Sequence, residues 1–128
     1  MRRSIGKTRW AIAGCYLETD STGDEPEFTS REQISILNTG TAEAVITLQI
    51  FYEDREPVGP YEIHVRALRL RKVRLNDLIF PEAPPLGLLC ACVIQADHPV
   101  VIQITRVDTS HRDRACMGSV AYCPAALP

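Results

Sequence analysis

Hydrophobic and polar residues alternate along much of this chain with a period of two. The clearest stretch is 43–53, where Ala44, Ile46, Leu48, Ile50 and Tyr52 share one face and Thr47 and Gln49 lie on the other. That is the period of a strand with one buried face; a helix would repeat about every 3.6 residues. The same reading predicts strands near 8–18, 31–38, 61–68, 70–78, 88–96, 99–107 and 115–122. No stretch of about 10–12 residues carries helical periodicity, which argues against a parallel βαβ sheet. The predicted architecture is all-β, an antiparallel β-sandwich of seven or eight strands forming one domain over residues 1–128. Open edges on such sheets favour self-association.

Turn chemistry divides the chain in the same places. Asn38-Thr39-Gly40 suits a connection between the second and third strands, because Asn and Gly tolerate positive φ. Pro57, Gly59 and Pro60 are read as a break between Tyr52 and Tyr61, and Pro81, Pro84, Pro85 and Gly87 as a loop that joins no ladder. Asp97-His98-Pro99 is read as a tight turn joining two buried strands, Leu88 to Ala96 and Val100 to Val107. Neither an internal repeat nor a low-complexity linker marks a second domain.

Composition narrows the function classes. A formal net charge of −2 gives no global attraction to nucleic acid or anionic lipid. The charge is nonetheless uneven. Asp20, Asp24, Glu25 and Glu27 make an acidic first loop, while Arg66, Arg69, Arg71, Lys72 and Arg74 make a basic ribbon across the fourth and fifth strands. Either set is a solvated face, or the two meet within the fold or across a subunit interface. The longest apolar run, Leu86 to Ile94, is far shorter than the roughly 20 residues of a spanning helix.

Cys15, Cys90, Cys92, Cys116 and Cys123 form no framework spacing. Cys90 and Cys92 point to one face of a strand, without the two-residue gap of common zinc and redox motifs. They read as buried, reduced, apolar fillers, which favours the cytoplasm. Ile12-Ala13-Gly14-Cys15 resembles a lipoprotein cleavage box, but the apolar run before it is too short, and a first strand is the better reading.

Catalytic signatures are absent: no phosphate loop, no dinucleotide fingerprint, no His-Glu-x-x-His and no nucleophile elbow. His64, His98 and His111 have no metal-ligand spacing, so neither metal nor cofactor is expected. Ser110, His111, Asp108 and Asp113 contain triad residue types, but adjacent residues diverge and make poor nucleophile–base geometry. The polar residues of interest lie on strands otherwise built for burial: Arg74, Asn76 and Asp77 within 73–78, and Gln103, Arg106 and Asp108 within 101–108. Their planar donors and acceptors suit the hydroxyls of a sugar-like metabolite, and Trp10, Tyr16, Tyr52 and Tyr61 offer an apolar platform. Alternatively these groups pair with one another, Arg106 with Asp108 or Arg74 with Asp77, and tie loops.

Several stretches, taken in order over residues 4–122, resemble the sensory rhodopsin transducer family of small prokaryotic proteins. They are Ser4-Ile5-Gly6-Lys7-Thr8-Arg9-Trp10-Ala11-Ile12-Ala13, Ile36-Leu37-Asn38, Glu56-Pro57-Val58-Gly59-Pro60-Tyr61, Val73-Arg74-Leu75-Asn76-Asp77-Leu78, Val93-Ile94-Gln95, Thr105-Arg106-Val107-Asp108 and Ala121-Tyr122. The resemblance implies a cytoplasmic β-sandwich subunit, commonly a homotetramer, that relays the signal of a microbial sensory rhodopsin or senses a small molecule such as a sugar. It carries Trp10, Asn38, Glu56, Tyr61, Arg74, Asn76, Asp77, Gln95, Arg106 and Asp108 over as motif positions. The chain departs from the family pattern in its cysteines, in Leu86 to Cys92 and in the tail Cys123 to Pro128.

The leading expectation is therefore a non-enzymatic sensor domain whose ligand meets Trp10, Asn38, Tyr52, Tyr61, Arg74, Asn76, Asp77, Gln103, Arg106 and Asp108. The alternative is a soluble transducer that docks on a membrane rhodopsin. A nucleic-acid regulator ranks third, since the basic ribbon sits on a chain of net negative charge.

Overall fold

The computed structural model describes residues 5–17, 31–108 and 115–120; for Arg31, Val107, Asp108 and residues 115–120 it describes the backbone alone. Seven strands are formed among them: β1 Lys7–Tyr16, β2 Arg31–Asn38, β3 Ala44–Tyr52, β4 Val58–Val65, β5 Arg69–Arg74, β6 Leu89–Asp108 and β7 Ala115–Val120. A single 3₁₀ turn, Leu75–Asp77, follows β5. Every strand pairing is antiparallel. The order is β4-β3-β6-β2-β5, with β1 and β7 also paired to β6. β6 is long enough to serve two layers. Its first half lies between β3 and β1, and its second half between β2 and β7.

Alternation fills the space between the layers. Ala44, Ile46, Leu48 and Ile50 of β3, Ile34 and Ile36 of β2, and Tyr61, Ile63 and Val65 of β4 are all buried in one core with Ile94, Ile102 and Ile104 of β6. Each fully buried large aliphatic side chain contributes about 1.5–3 kcal/mol over its exposed state. This is the all-β fold that the period-two pattern predicts.

The chief difference from the sequence reading is at Asp97-His98-Pro99. These residues do not turn the chain back; 88–96 and 99–107 are one strand, the 20-residue β6. Val100 and Gln95, five residues apart in β6, face Lys7 and Arg9, two apart in β1. The excess residues, Ala96 to Pro99, form the bend at which β6 leaves one layer for the other, as strands do at sandwich corners. Proline fits there because its missing N–H falls where the ladder is already interrupted. Asp97 fits because its Oδ1 accepts the Val45 amide at 2.8 Å, one residue beyond the last β3–β6 pair, Ile46 with Ala96.

The start of β1 clamps the same bend. Trp10 Nε1 donates to the carbonyls of Val100 and Lys7, each at 3.1 Å. Gly6 has φ +109°, and a Cβ there would sit 2.1 Å from the Val100 oxygen. Only glycine permits both that conformation and that approach.

Three smaller boundaries also move. β4 begins at Val58 and runs through Gly59 and Pro60, which the sequence reading placed in a break; as an end strand it tolerates a proline. The strand expected over 70–78 stops at Arg74, because Asn76 and Asp77 favour a turn and Leu75 alone keeps that turn in the core. Cys15 lies buried in β1, in keeping with the first-strand reading. The acidic residues Asp20, Asp24, Glu25 and Glu27 lie outside the described residues.

Gly6→Ala is expected to lower stability by about 2 kcal/mol or more, read as a fall in the urea midpoint at unchanged slope. The Asp97 carboxyl is held below its usual 3.8, first by the Val45 amide and then by His98. A depressed carboxyl stabilises the fold fully above its unfolded pKa and loses that contribution as pH falls through the folded value. Asp97→Ala should therefore destabilise at neutral pH and flatten the acid limb of a stability–pH curve.

Candidate functional site

The alternation of β2 places Glu32 on the inward face with Ile34, Ile36 and Asn38, and Glu32 is only 1% exposed. A carboxylate there must be paired and hydrogen-bonded or the fold loses several kcal/mol. Arg106 stands directly opposite in the β2–β6 ladder, and its Nε donates to Glu32 Oε1 at 2.5 Å. The Tyr16 amide donates to the same oxygen at 3.0 Å, and the Glu32 amide donates to Asn76 Oδ1 at 3.3 Å. The Glu32 side chain thus ties β1 and β6 to β2, and its backbone amide holds the 3₁₀ turn. Beside it Arg74 Nε lies 3.9 Å from Asp77 Oδ2.

Three thiols line the neighbouring core. Cys15 Sγ is 4.0 Å from Cys92 Sγ, and Cys90 Sγ donates to the Cys15 carbonyl at 3.5 Å. Hydrogen bonding to Cys15 and burial push the Cys90 thiol far up, and Cys15 is raised as well. Such thiols stay protonated and unreactive. No group of His, Cys, Asp and Glu able to hold a metal ion occurs among the described residues.

The sequence-derived set separates into distinct places. Asn76 and Arg106 meet on Glu32, and Arg74 and Asp77 adjoin each other. Trp10 is spent on the β6 bend. Asn38 is buried: its Nδ2 donates to the carbonyls of Ala42, Val65 and Arg66, and its Oδ1 accepts the Gly40 amide, which fixes the β2–β3 turn to the end of β4. Tyr61 OH donates to the Glu82 carbonyl at 2.6 Å and pins the loop before β6. Tyr52 is half-buried under the Arg55 guanidinium, 5.2 Å from its ring centre; its hydroxyl is shut from water, which pushes its pKa up to about 12. Gln103 points outward from the second layer, and Gln95 and Glu56 are exposed. Asp108 ends β6 opposite Ala115; its side chain lies outside the described residues, as do Ser110, His111, Asp113 and Cys123.

Sequence reasoning passed over Glu32. Its signal was a charged residue in phase with Ile34 and Ile36, where a solvent-facing position would have been out of phase.

Two hollows mark the outer surface. One, about 220 Å³, is lined by Thr47, Gln49, Pro60, Val93 and Gln95 on the outward face of the first layer. The other is an open groove of about 510 Å³ between 59–62 of β4 and the segment 77–81, which carries exposed Ile79 and Phe80. Among the described residues the large exposed apolar side chains form two groups. Ile5, Leu68 and Leu70 lie at the start of β1 and the end of β4; Ile79, Phe80, Leu86, Leu88 and Leu89 lie at the end of β1 and the start of β4.

The sequence profile of the Anabaena sensory rhodopsin transducer family matches residues 5–123. Among solved structures, the chain is similar to the Anabaena sensory rhodopsin transducer with 47% identity and a TM-score of 0.75, over 82% of this chain and 91% of that one. It is also similar to Thermotoga maritima 1070, with 25% identity and a TM-score of 0.79, over 91% and 94% of the two chains. No match is found among curated proteins.

Removing Arg106 takes away the cation directly opposite buried Glu32, so Arg106→Ala is expected to cost about 3–5 kcal/mol, measured by urea unfolding. Glu32→Gln combined with Arg106→Ala should cost less than the two changes summed. Additive costs would mean that the pair does not act as one unit.

Proposed function

The chain belongs to the Anabaena sensory rhodopsin transducer family, and on that premise we propose that it is a non-enzymatic relay that docks on a microbial sensory rhodopsin at its cytoplasmic side. The observation that carries this reading is the 47% identity to the Anabaena transducer over most of both chains. The polar residues of the interior support it by what they are engaged in. Glu32, Arg106, Asn38 and Trp10 hold strands together, and the Cys15 and Cys90 thiols beside them are protonated. Among the described residues no nucleophile stands with a base.

The surface also suits a relay. Its exposed apolar side chains fall at two opposite ends of β1 and β4. A protein that receives a signal from one partner and passes it to another needs two such faces. No helix among the described residues is long and apolar enough to cross a membrane. Exposed end strands β4 and β5 favour self-association, and the tetramer implied by the family is part of the proposal.

A second reading keeps a small polar ligand. It is favoured by the hollow lined by Thr47, Gln49 and Gln95, whose hydroxyl and amides suit sugar hydroxyls. Of its lining, Gln95 is one of the motif positions read from the sequence, while none of it belongs to the expected ligand set.

Titration of the purified protein into a detergent-solubilised sensory rhodopsin, followed by calorimetry and by flash photolysis, tests the docking reading. The expected result is a saturable complex with an altered rate in the late photocycle. Neither heat nor any kinetic change would contradict it. A thermal upshift with a sugar, lost in Gln49→Ala with Gln95→Ala, would favour the second reading instead.

A further inference from the structure

We propose that the tip of the β4–β5 connection docks on the surface of an anionic lipid bilayer. The inference deepens the docking reading by naming what one end of the relay touches, and it is tested without any rhodopsin.

The tip presents apolar side chains to solvent by construction. Leu68 has φ +56°, a left-handed conformation that costs a branched, bulky residue about 1 kcal/mol or more and that Gly or Asn would occupy freely. The conformation is held by the Leu68 amide donating to the Gly40 carbonyl at 3.1 Å. It leaves the Leu68 side chain 57% exposed. Leu70 is equally exposed on the outer face of β5, where it continues the row of Leu37 and Val101 across the ladder. Ile5 joins them, because its amide donates to Thr39 Oγ1 in the same β2–β3 turn that anchors Leu68. Three exposed aliphatic side chains therefore hang from one rigid turn, itself fixed by buried Asn38.

The charges around them have one dominant sign. Arg66, Arg69, Arg71 and Lys72 are exposed about the tip, and Lys7 is exposed at the start of β1. Arg71 Nη1 donates to the His64 carbonyl at 2.7 Å, so the cationic row is fastened to β4. The nearby carboxylates Glu43 and Glu62 both face the His64 ring, which lies 2.6 Å from Glu62 Oε1 and 3.5 Å from Glu43 Oε2. Protruding aliphatic side chains ringed by Arg and Lys are what a bilayer interface selects: the apolar groups enter the headgroup boundary and the cations meet anionic lipid. Nucleic acid has no use for the leucines. The cytoplasmic loops of a membrane protein carry an excess of Lys and Arg, which would repel this tip, whereas anionic headgroups attract it.

The test is flotation of the intact chain with vesicles of phosphatidylcholine alone and of phosphatidylcholine with phosphatidylglycerol. Binding is expected only to the anionic vesicles and to weaken as salt rises. Leu68→Asn, which suits the backbone and removes the apolar group, combined with Leu70→Ser should weaken binding about tenfold or more while the melting temperature stays near that of the parent chain. Each of Arg69→Gln and Lys72→Gln should weaken it about fivefold. The proposal is overturned by no binding to anionic vesicles at low salt, and equally by binding that survives loss of both leucines, which would be charge attraction alone. Complete competition by soluble glycerol phosphate would assign a free-phosphate site instead. Double-stranded DNA binding that ignores the leucine changes would assign the ribbon to nucleic acid. Loss of vesicle binding with intact rhodopsin binding in detergent would reject this proposal and leave the docking reading standing.

Discussion

Everything in this fold hangs on one strand changing layers. β6 pairs with β3 before Asp97 and with β2 and β7 after Pro99, while β1 follows it across the bend from Leu89 to Val100, so the two layers share a single backbone and enclose a single core. The bend must be held open and in place. Val100 does this by accepting from Trp10 while the Gly6 backbone lies against it, and Asp97 does it by capping the amide that β6 leaves behind. The run Gly6-Lys7-Thr8-Arg9-Trp10, which carries part of the family resemblance, is thereby explained as a clamp on that bend.

A second, polar constraint closes the other end. Glu32 sits where its ladder position requires an apolar residue, and the Arg106 guanidinium and the Tyr16 amide make its carboxylate tolerable. A buried ion pair adds little net stability over a packed apolar pair, but it penalises any register in which the partners miss each other. In a sheet where a one-residue slip turns every side chain over, such a pin selects one register of β2 against β6. Both constraints leave the surface free to differ, and the surface is where a transducer meets its partners.

Much of this was legible in the sequence. Period-two alternation located β2, β3 and both halves of β6, and the turn residues placed the connection at Asn38-Thr39-Gly40 correctly. The bend at Asp97-His98-Pro99 was misread because Asp and Pro give the same local signal in a hairpin turn and in a strand that changes neighbours; only the pairing partners, far away in the chain, tell them apart. Of the polar groups expected on buried strands, Arg106 lies on β6 and Arg74 ends β5, whereas Asn76 and Asp77 fall in the 3₁₀ turn that follows. That Arg106 and Asn76 meet on Glu32 was not visible, because strand order decides that Arg106 faces Glu32. Leu68 gave no signal at all. Its left-handed backbone follows from the Gly40 contact, which only the folded chain makes.

The proposed relay lays its β4–β5 tip against the membrane that holds its rhodopsin. Amide hydrogen exchange of the chain, alone and with a sensory rhodopsin in anionic lipid nanodiscs, tests it most directly. The account predicts added protection over 5–7, 38–42 and 66–72, with the β6 interior unchanged. Protection confined to the far end, around 78–89, or no change anywhere, would contradict it.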